Sequence, residues 1–204
     1  MLAALAATTR DRTMRTTSPS AAILALWLCW IAYWTAASLA VKPSARRETM
    51  RSRLLHLGPL AIAVLLLWGQ APSLDALRAR FVPSSPAIEW SGAVLVAAGL
   101  LFTVWARVHL GSNWSGIVTV KRDHELVTSG PYAIVRHPIY TGLVLAFVGS
   151  AITLGEMRGL LAVAIVVASL WRKLRLEERW MAEQFGDDYE RYRGRVRALV
   201  PFVL

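Results

Sequence analysis

Five apolar runs, at about residues 21–41, 54–70, 87–106, 139–155 and 159–171, leave this chain little choice of solvent. A helix needs about 20 apolar residues to cross a bilayer, within a range of about 17–25. The first and third runs reach that length. The second lies at its lower edge. The last two reach it when amphipathic turns extend them to 136–155 and 157–180. Between them stands "TLGEMRG" (153–159), with two glycines and two charges, which reads as the turn of a tight helical hairpin. The expected fold is all-α: a polytopic membrane protein of about five transmembrane helices. Composition agrees, because 55% hydrophobic residues and a mean hydropathy of +0.44 exceed the about 45–50% apolar content of soluble domains.

A net charge of +10 would suggest nucleic acid in a soluble chain. Here it reads as basic loops that fix orientation and touch anionic head groups, so a lipid bilayer is the expected partner and nucleic acid is not. With five spans, one side collects the loops 42–53 and 107–137 and everything after 171. These carry five, four and eight Lys or Arg, seventeen of the chain's 23. Cytoplasmic loops carry such an excess, so the C-terminus is expected in the cytoplasm. Cys29 is the lone cysteine, which leaves no disulfide within the chain and no Cys-rich metal site. The chain divides into a disordered tail (1–20), three spans (21–106) and a catalytic region (107–204) with a loop, the hairpin and a C-terminal amphipathic segment.

The polar residues of interest gather on the basic side. In "GPYAIVRHPIYTG" (130–142), Pro138 suits the first position of a helix, where its missing N–H costs nothing. The residue before a proline is pushed to an extended backbone, so His137 stands just outside the helix. Open N–H groups there, with Arg136 alongside, would attract an anion. Arg, His and Tyr also suit a plain head-group anchor. Glu177 and Glu178 lie at the same end of the last apolar run, with Lys173 four residues before Glu177. Lys173 and Glu177 fit an ordinary helical pair, worth about 0.2–0.5 kcal/mol. Carboxylates so near an apolar helix more often have a task, such as holding a ribose, an amine or a sulfonium.

These residues carry a resemblance. "HELVTSGPYAIVRHPIYTG", a helical hairpin, then "EERWMAEQFGDDYERYRGRVRALVP" is similar to the isoprenylcysteine carboxyl methyltransferase family, within a broader group that includes phospholipid N-methyltransferases. The likeness runs from about 110 to 202 and includes "GSNWS". It implies S-adenosylmethionine as methyl donor, outside any Rossmann fold, and the chain has no Gly-rich βαβ fingerprint. By the family pattern, His124, Leu126 and Val127 line the cofactor. Tyr132, His137, Pro138, Ile139 and Tyr140 continue the cradle, and Glu177 closes it. Arg136 and Lys173 face the acceptor's carboxylate. Gly116, Thr119 and Leu143 depart from the eukaryotic pattern, and Lys173 replaces an arginine.

Methyl transfer from a sulfonium needs alignment and exclusion of water. A carboxylate acceptor is already ionised at neutral pH and needs no base. An amine would need one, and His124, His137 or Glu178 would supply it. The expected function is therefore a membrane S-adenosylmethionine-dependent methyltransferase, acting on a carboxylate of a lipidated cysteine or similar lipophilic acceptor. N- or S-methylation is the alternative within the class. An NADPH-dependent sterol-type reductase is an alternative by analogy of layout. A transporter would carry ionisable groups at mid-membrane, where this chain has almost none.

Overall fold

The computed structural model describes residues 18–38, 49–69, 76–111 and 126–201. Six α-helices follow in order: α1 (Pro19–Ser38), α2 (Met50–Trp68), α3 (Pro86–Leu110), α4 (Pro138–Leu154), α5 (Met157–Phe185) and α6 (Asp187–Arg195). Each of the five apolar runs, as far as it is described, lies largely in one of the first five. Among the described residues extended pairing is limited to one antiparallel bridge, Arg80 with Glu156. Three helices, α1, α2 and α3, are long and apolar enough to cross a membrane, and α4 is apolar over 17 residues. The 29 residues of α5 are apolar as far as Trp171, then turn charged from Arg172 onward. Large side chains such as Leu101, 68% exposed, and Val94, 67% exposed, point outward from α3 as lipid-facing positions do.

Local chemistry sets the helix ends. The Ser85 hydroxyl accepts the Ile88 N–H at 3.3 Å, and Pro86 opens α3. Pro138 opens α4, as its sequence implies. Arg158 closes α2 from a distance: its Nη1 donates to the carbonyls of Leu66 (3.1 Å) and Gly69 (2.7 Å), and its Nε to Glu156 (2.5 Å). Those end carbonyls have no partner within their own helix. The end of the 71–86 connector is fixed to the α4–α5 turn, because Phe81 N–H donates to Gly155 O and Met157 N–H to Ala79 O, both at 2.9 Å.

The tightest packing is between α3 and α4, which run antiparallel with glycine opposite glycine. An added Cβ at Gly92 would sit 2.5 Å from the Gly149 carbonyl, and one at Gly99 2.5 Å from that of Gly142. In lipid, helices associate by close packing, and small residues let their backbones approach. Helix α1 then lies across this pair through two indoles. Trp27 Nε1 donates to Ser150 Oγ at 3.1 Å and Trp30 Nε1 to Thr103 Oγ1 at 2.6 Å. Both hydroxyls are buried, so each indole meets a polar group that would otherwise lack a partner from α1. Arg107 completes the join by donating to Ala37 O at the end of α1 and to Gly111 O at the end of α3.

Candidate active site

One cluster of charges occupies the mouth of α4, where the charged half of α5 passes beside it. Arg136 donates to Glu178 Oε1 from Nε (2.9 Å) and from Nη2 (2.5 Å). His137 sits between two carboxylates, with Nε2 3.3 Å from Glu178 Oε1 and Nδ1 3.6 Å from Glu177 Oε2. Tyr140 lies one turn into α4, its ring stacked on His137 at 5.5 Å, and donates its hydroxyl to Glu177 Oε1 at 2.5 Å. Lys173 is 3.9 Å from Glu177 and stands over the Tyr140 ring at 5.4 Å. Position explains the convergence. Glu177 and Glu178 are consecutive on α5 and present two carboxylates to one helix mouth, while His137 and Tyr140 are one turn apart on α4.

A strap from the C-terminal segment holds this mouth in place. After α6 the chain turns back, and the carbonyls of Arg197 and Ala198 accept the N–H groups of Arg136 (2.8 Å) and His137 (3.0 Å). Leu199 O accepts the Thr141 hydroxyl at 2.7 Å. Arg136 Nη1 donates to the carbonyls of Arg193 (3.3 Å) and Val196. The sequence reading leaves the N–H groups around His137 open to an anion. In the fold the strap takes those of Arg136 and His137. Likewise, the guanidinium expected to receive an acceptor's charge already holds Glu178 and two carbonyls.

Of the remaining predicted residues, all but His124 are described, and they lie on the stretch from 126 into α4. Leu126 and Val127 are half-buried in the stretch leading to a 3₁₀ turn, Gly130–Ala133. Tyr132 is in that turn, its carbonyl accepting the Tyr192 hydroxyl at 2.6 Å and its ring stacked on His109 at 6.4 Å. Gly130 has φ 60°, and an added Cβ would lie 2.6 Å from the His109 ring, so both backbone and space require glycine there. Pro138 is fully buried, and Ile139 packs against the core. His124 lies outside the described residues. Among the described residues no group of three or more His, Cys, Asp or Glu is arranged to hold a metal. Sequence reasoning did not single out Thr141, Tyr192, His109 or the carbonyls by which the tail holds the mouth of α4. The apolar "ALV" (198–200) that follows a charged stretch was the available signal for those carbonyls.

The electrostatics of the cluster are mutual. Burial alone would lower the pKa of His137, but its bonds to Glu177 and Glu178 outweigh that and raise it. Burial alone would raise both glutamates. The bond from His137 together with Lys173 and Tyr140 at Glu177, and with Arg136 at Glu178, outweighs it and lowers both, Glu178 to about 2. Linkage gives the sign. The raised His137 stabilises fully below its ordinary 6.5, and that contribution is lost as pH rises through its folded value. The lowered glutamates stabilise above their ordinary 4.5 and lose this as pH falls through their folded values, about 2 for Glu178. The cluster is therefore strongest between those ordinary values. Thermal melting followed upward from pH 6.5 should show falling stability in the wild type and a shallower fall in His137→Gln. Equal slopes would remove His137 as the cause.

An apolar helical body with one charged cluster at its basic end is the layout of a membrane protein whose chemistry sits at the interface. Residues 88–188, just under half of the chain, match the sequence model of the phospholipid methyltransferase family. Among its relatives, protein-S-isoprenylcysteine O-methyltransferase of Schizosaccharomyces pombe is 38% identical over 104 residues, 48% of this chain and 43% of that protein. Protein-S-isoprenylcysteine O-methyltransferase B of Arabidopsis thaliana is 32% identical over 118 residues, 55% of this chain and 58% of its own. The Homo sapiens protein-S-isoprenylcysteine O-methyltransferase is 31% identical over 129 residues, 60% and 45% of the two chains. The chain thus spans about half the length of the curated relatives it matches.

Proposed function

We propose that this protein is an integral membrane methyltransferase that uses S-adenosylmethionine to methylate a carboxylate on a prenylated cysteine or a similar apolar acceptor. The relatives' names support the reaction class. The observation that carries the choice of nucleophile is that His137 and Glu178, two of the three candidate bases, are bound to each other. Two carboxylates raise the pKa of the imidazole between them and so favour its protonated form, and Glu178, held at about 2, is a poor proton acceptor. Such a site suits an acceptor that arrives already ionised. A phospholipid amine is the second reading, favoured by the description of the matched family.

The donor set fits the cofactor. Glu177 is 24% exposed, and its Oε2 is no nearer than 3.6 Å to His137, so it keeps capacity to accept hydroxyl or ammonium hydrogens. Lys173, 17% exposed, has Glu177 at 3.9 Å as its nearest charge partner among the described residues. It suits a carboxylate of cofactor or acceptor. When bound, S-adenosylmethionine supplies an electrophilic methyl on a sulfonium. We assign Glu177, Tyr140, His137, Pro138, Ile139, Tyr132, Leu126, Val127 and His124 to its cradle. Lys173 is assigned to the acceptor side, and Arg136 with Glu178 to positioning the strap across the mouth. The catalytic region of this reading is 107–204. Its basic end faces the cytoplasm, which a reporter fused after Leu204 would read as cytoplasmic; an external signal would refute that orientation.

Calorimetric titration with S-adenosylhomocysteine tests the cradle. Glu177→Gln keeps the shape and one oxygen but loses the charge. A hydrogen bond to a charged group is worth about 1.5–3 kcal/mol, so affinity should fall on the order of 10- to 150-fold at 1.36 kcal/mol per decade. Unchanged affinity in both Glu177→Gln and His137→Ala would take these residues out of the site.

A further inference from the structure

The outer side of the strap forms a cleft that the methyl-transfer reading does not use. It has a volume of about 470 Å³ and is lined by Ile134, Arg195, Val196, Arg197 and Pro201, among others. Arg195 and Arg197 are both exposed, and among the described residues neither makes an ion pair or side-chain hydrogen bond. The neighbouring arginines differ: Arg191 pairs with Asp188 and Arg193 with Glu190. Ile134, which lines the cleft, and Val200, three residues beyond Arg197 in the strap, are each 45% exposed. The depth of the cleft is fixed by the strap, because the Arg197 and Ala198 carbonyls bond the backbone at the mouth of α4. The cleft therefore lies within about a turn of the end of an apolar helix, at the level of the head groups.

From this pairing of free cations with exposed aliphatic side chains at head-group depth, we infer that the cleft binds one anionic phospholipid. Its phosphate lies against Arg195 and Arg197, and its acyl chains run along Ile134 and Val200. Two cations recognise the charge, and the aliphatic pair recognises the part that a soluble anion lacks. The site stands independently of the methyl-transfer reading. It also touches the same strap, since Val196 lines the cleft and its carbonyl holds Arg136. Occupancy would therefore steady the mouth of α4 from outside.

The test uses the full chain reconstituted in phosphatidylcholine nanodiscs doped with phosphatidylglycerol, then extracted in mild detergent. Retained lipid is counted by mass spectrometry, and circular dichroism confirms helicity. A charge-assisted hydrogen bond to the phosphate is worth on the order of tenfold in affinity, so Arg195→Gln/Arg197→Gln should lower retained phosphatidylglycerol on the order of 100-fold. If the double variant does not fold, each single variant should lower it on the order of tenfold. Arg175→Gln/Arg179→Gln removes the same charge from the exposed face of α5 and should leave retention nearly unchanged. Equal losses in the two double variants would mean general surface attraction and overturn the site. Displacement of the lipid by excess inorganic phosphate would assign the cleft to a soluble anion and overturn the lipid assignment.

Discussion

Arg136→Ala is expected to loosen the whole mouth of the site. The side chain is 8% exposed and its partner Glu178 12%, so removing it leaves a nearly buried carboxylate short of one of its two cationic partners. The carbonyls of Arg193 and Val196 lose a donor in the same step. Breaking a buried pair costs about 3–5 kcal/mol. His137 still faces Glu178, which places the loss near the lower end, about 3 kcal/mol. With the strap released, affinity for S-adenosylhomocysteine should fall together with the melting temperature. Arg136→Lys should recover part of both, because a single ammonium cannot reach a carboxylate and two carbonyls as a planar fork does. If Arg136 instead receives the acceptor's charge, the pattern differs. Turnover would then fall in Arg136→Ala while stability and cofactor affinity hold. Melting, titration and turnover on the two variants separate these outcomes.

Gly142→Leu is expected to prevent α3 and α4 from packing. A Cβ at Gly142 already meets the Gly99 carbonyl at 2.5 Å and Thr103 Cγ2 at 2.6 Å. The first of these is backbone and cannot swing aside, so the helices must separate along their length. Overpacked cores usually lose about 1–3 kcal/mol. The loss here should exceed that range, because separation also pulls Gly92 from Gly149 and disturbs the bond from Trp30 to Thr103. Gly58→Ala is the matched control. Outside its own helix backbone and chain neighbours nothing lies within 4 Å of a Cβ at that site in α2, so alanine there disturbs no contact between helices. Gel filtration and thermal melting of both variants should show an aggregated or much weakened Gly142→Leu beside a normal Gly58→Ala. A Gly142→Leu protein that melts like the wild type would contradict the packing described.

What the sequence revealed, and what it hid, follows from the range of each interaction. Apolar runs and prolines act locally, so the helices and the start of α4 at Pro138 could be read directly. The Lys173–Glu177 pair is an i,i+4 neighbour and was equally visible. The four glycines of α3 and α4 are spaced by seven on each helix, which is legible, but which glycine meets which is not. The partners of Arg136 lie 42 to 60 residues away, on α5 and in the strap. Nothing in "IVRHP" says that its arginine is taken. The motif marked where chemistry gathers, while the strap that organises it sat in a tail that reads as a charged surface helix.

The account rests on methyl transfer to a carboxylate, and one measurement bears on it most directly. Membranes carrying the full chain are incubated with methyl-labelled S-adenosylmethionine and a prenylcysteine acceptor, with Glu177→Gln membranes alongside. The account predicts labelled product from the wild type, release of the label by mild base as expected for a methyl ester, and little product from Glu177→Gln. A product whose label resists base, or equal labelling by Glu177→Gln, would contradict it.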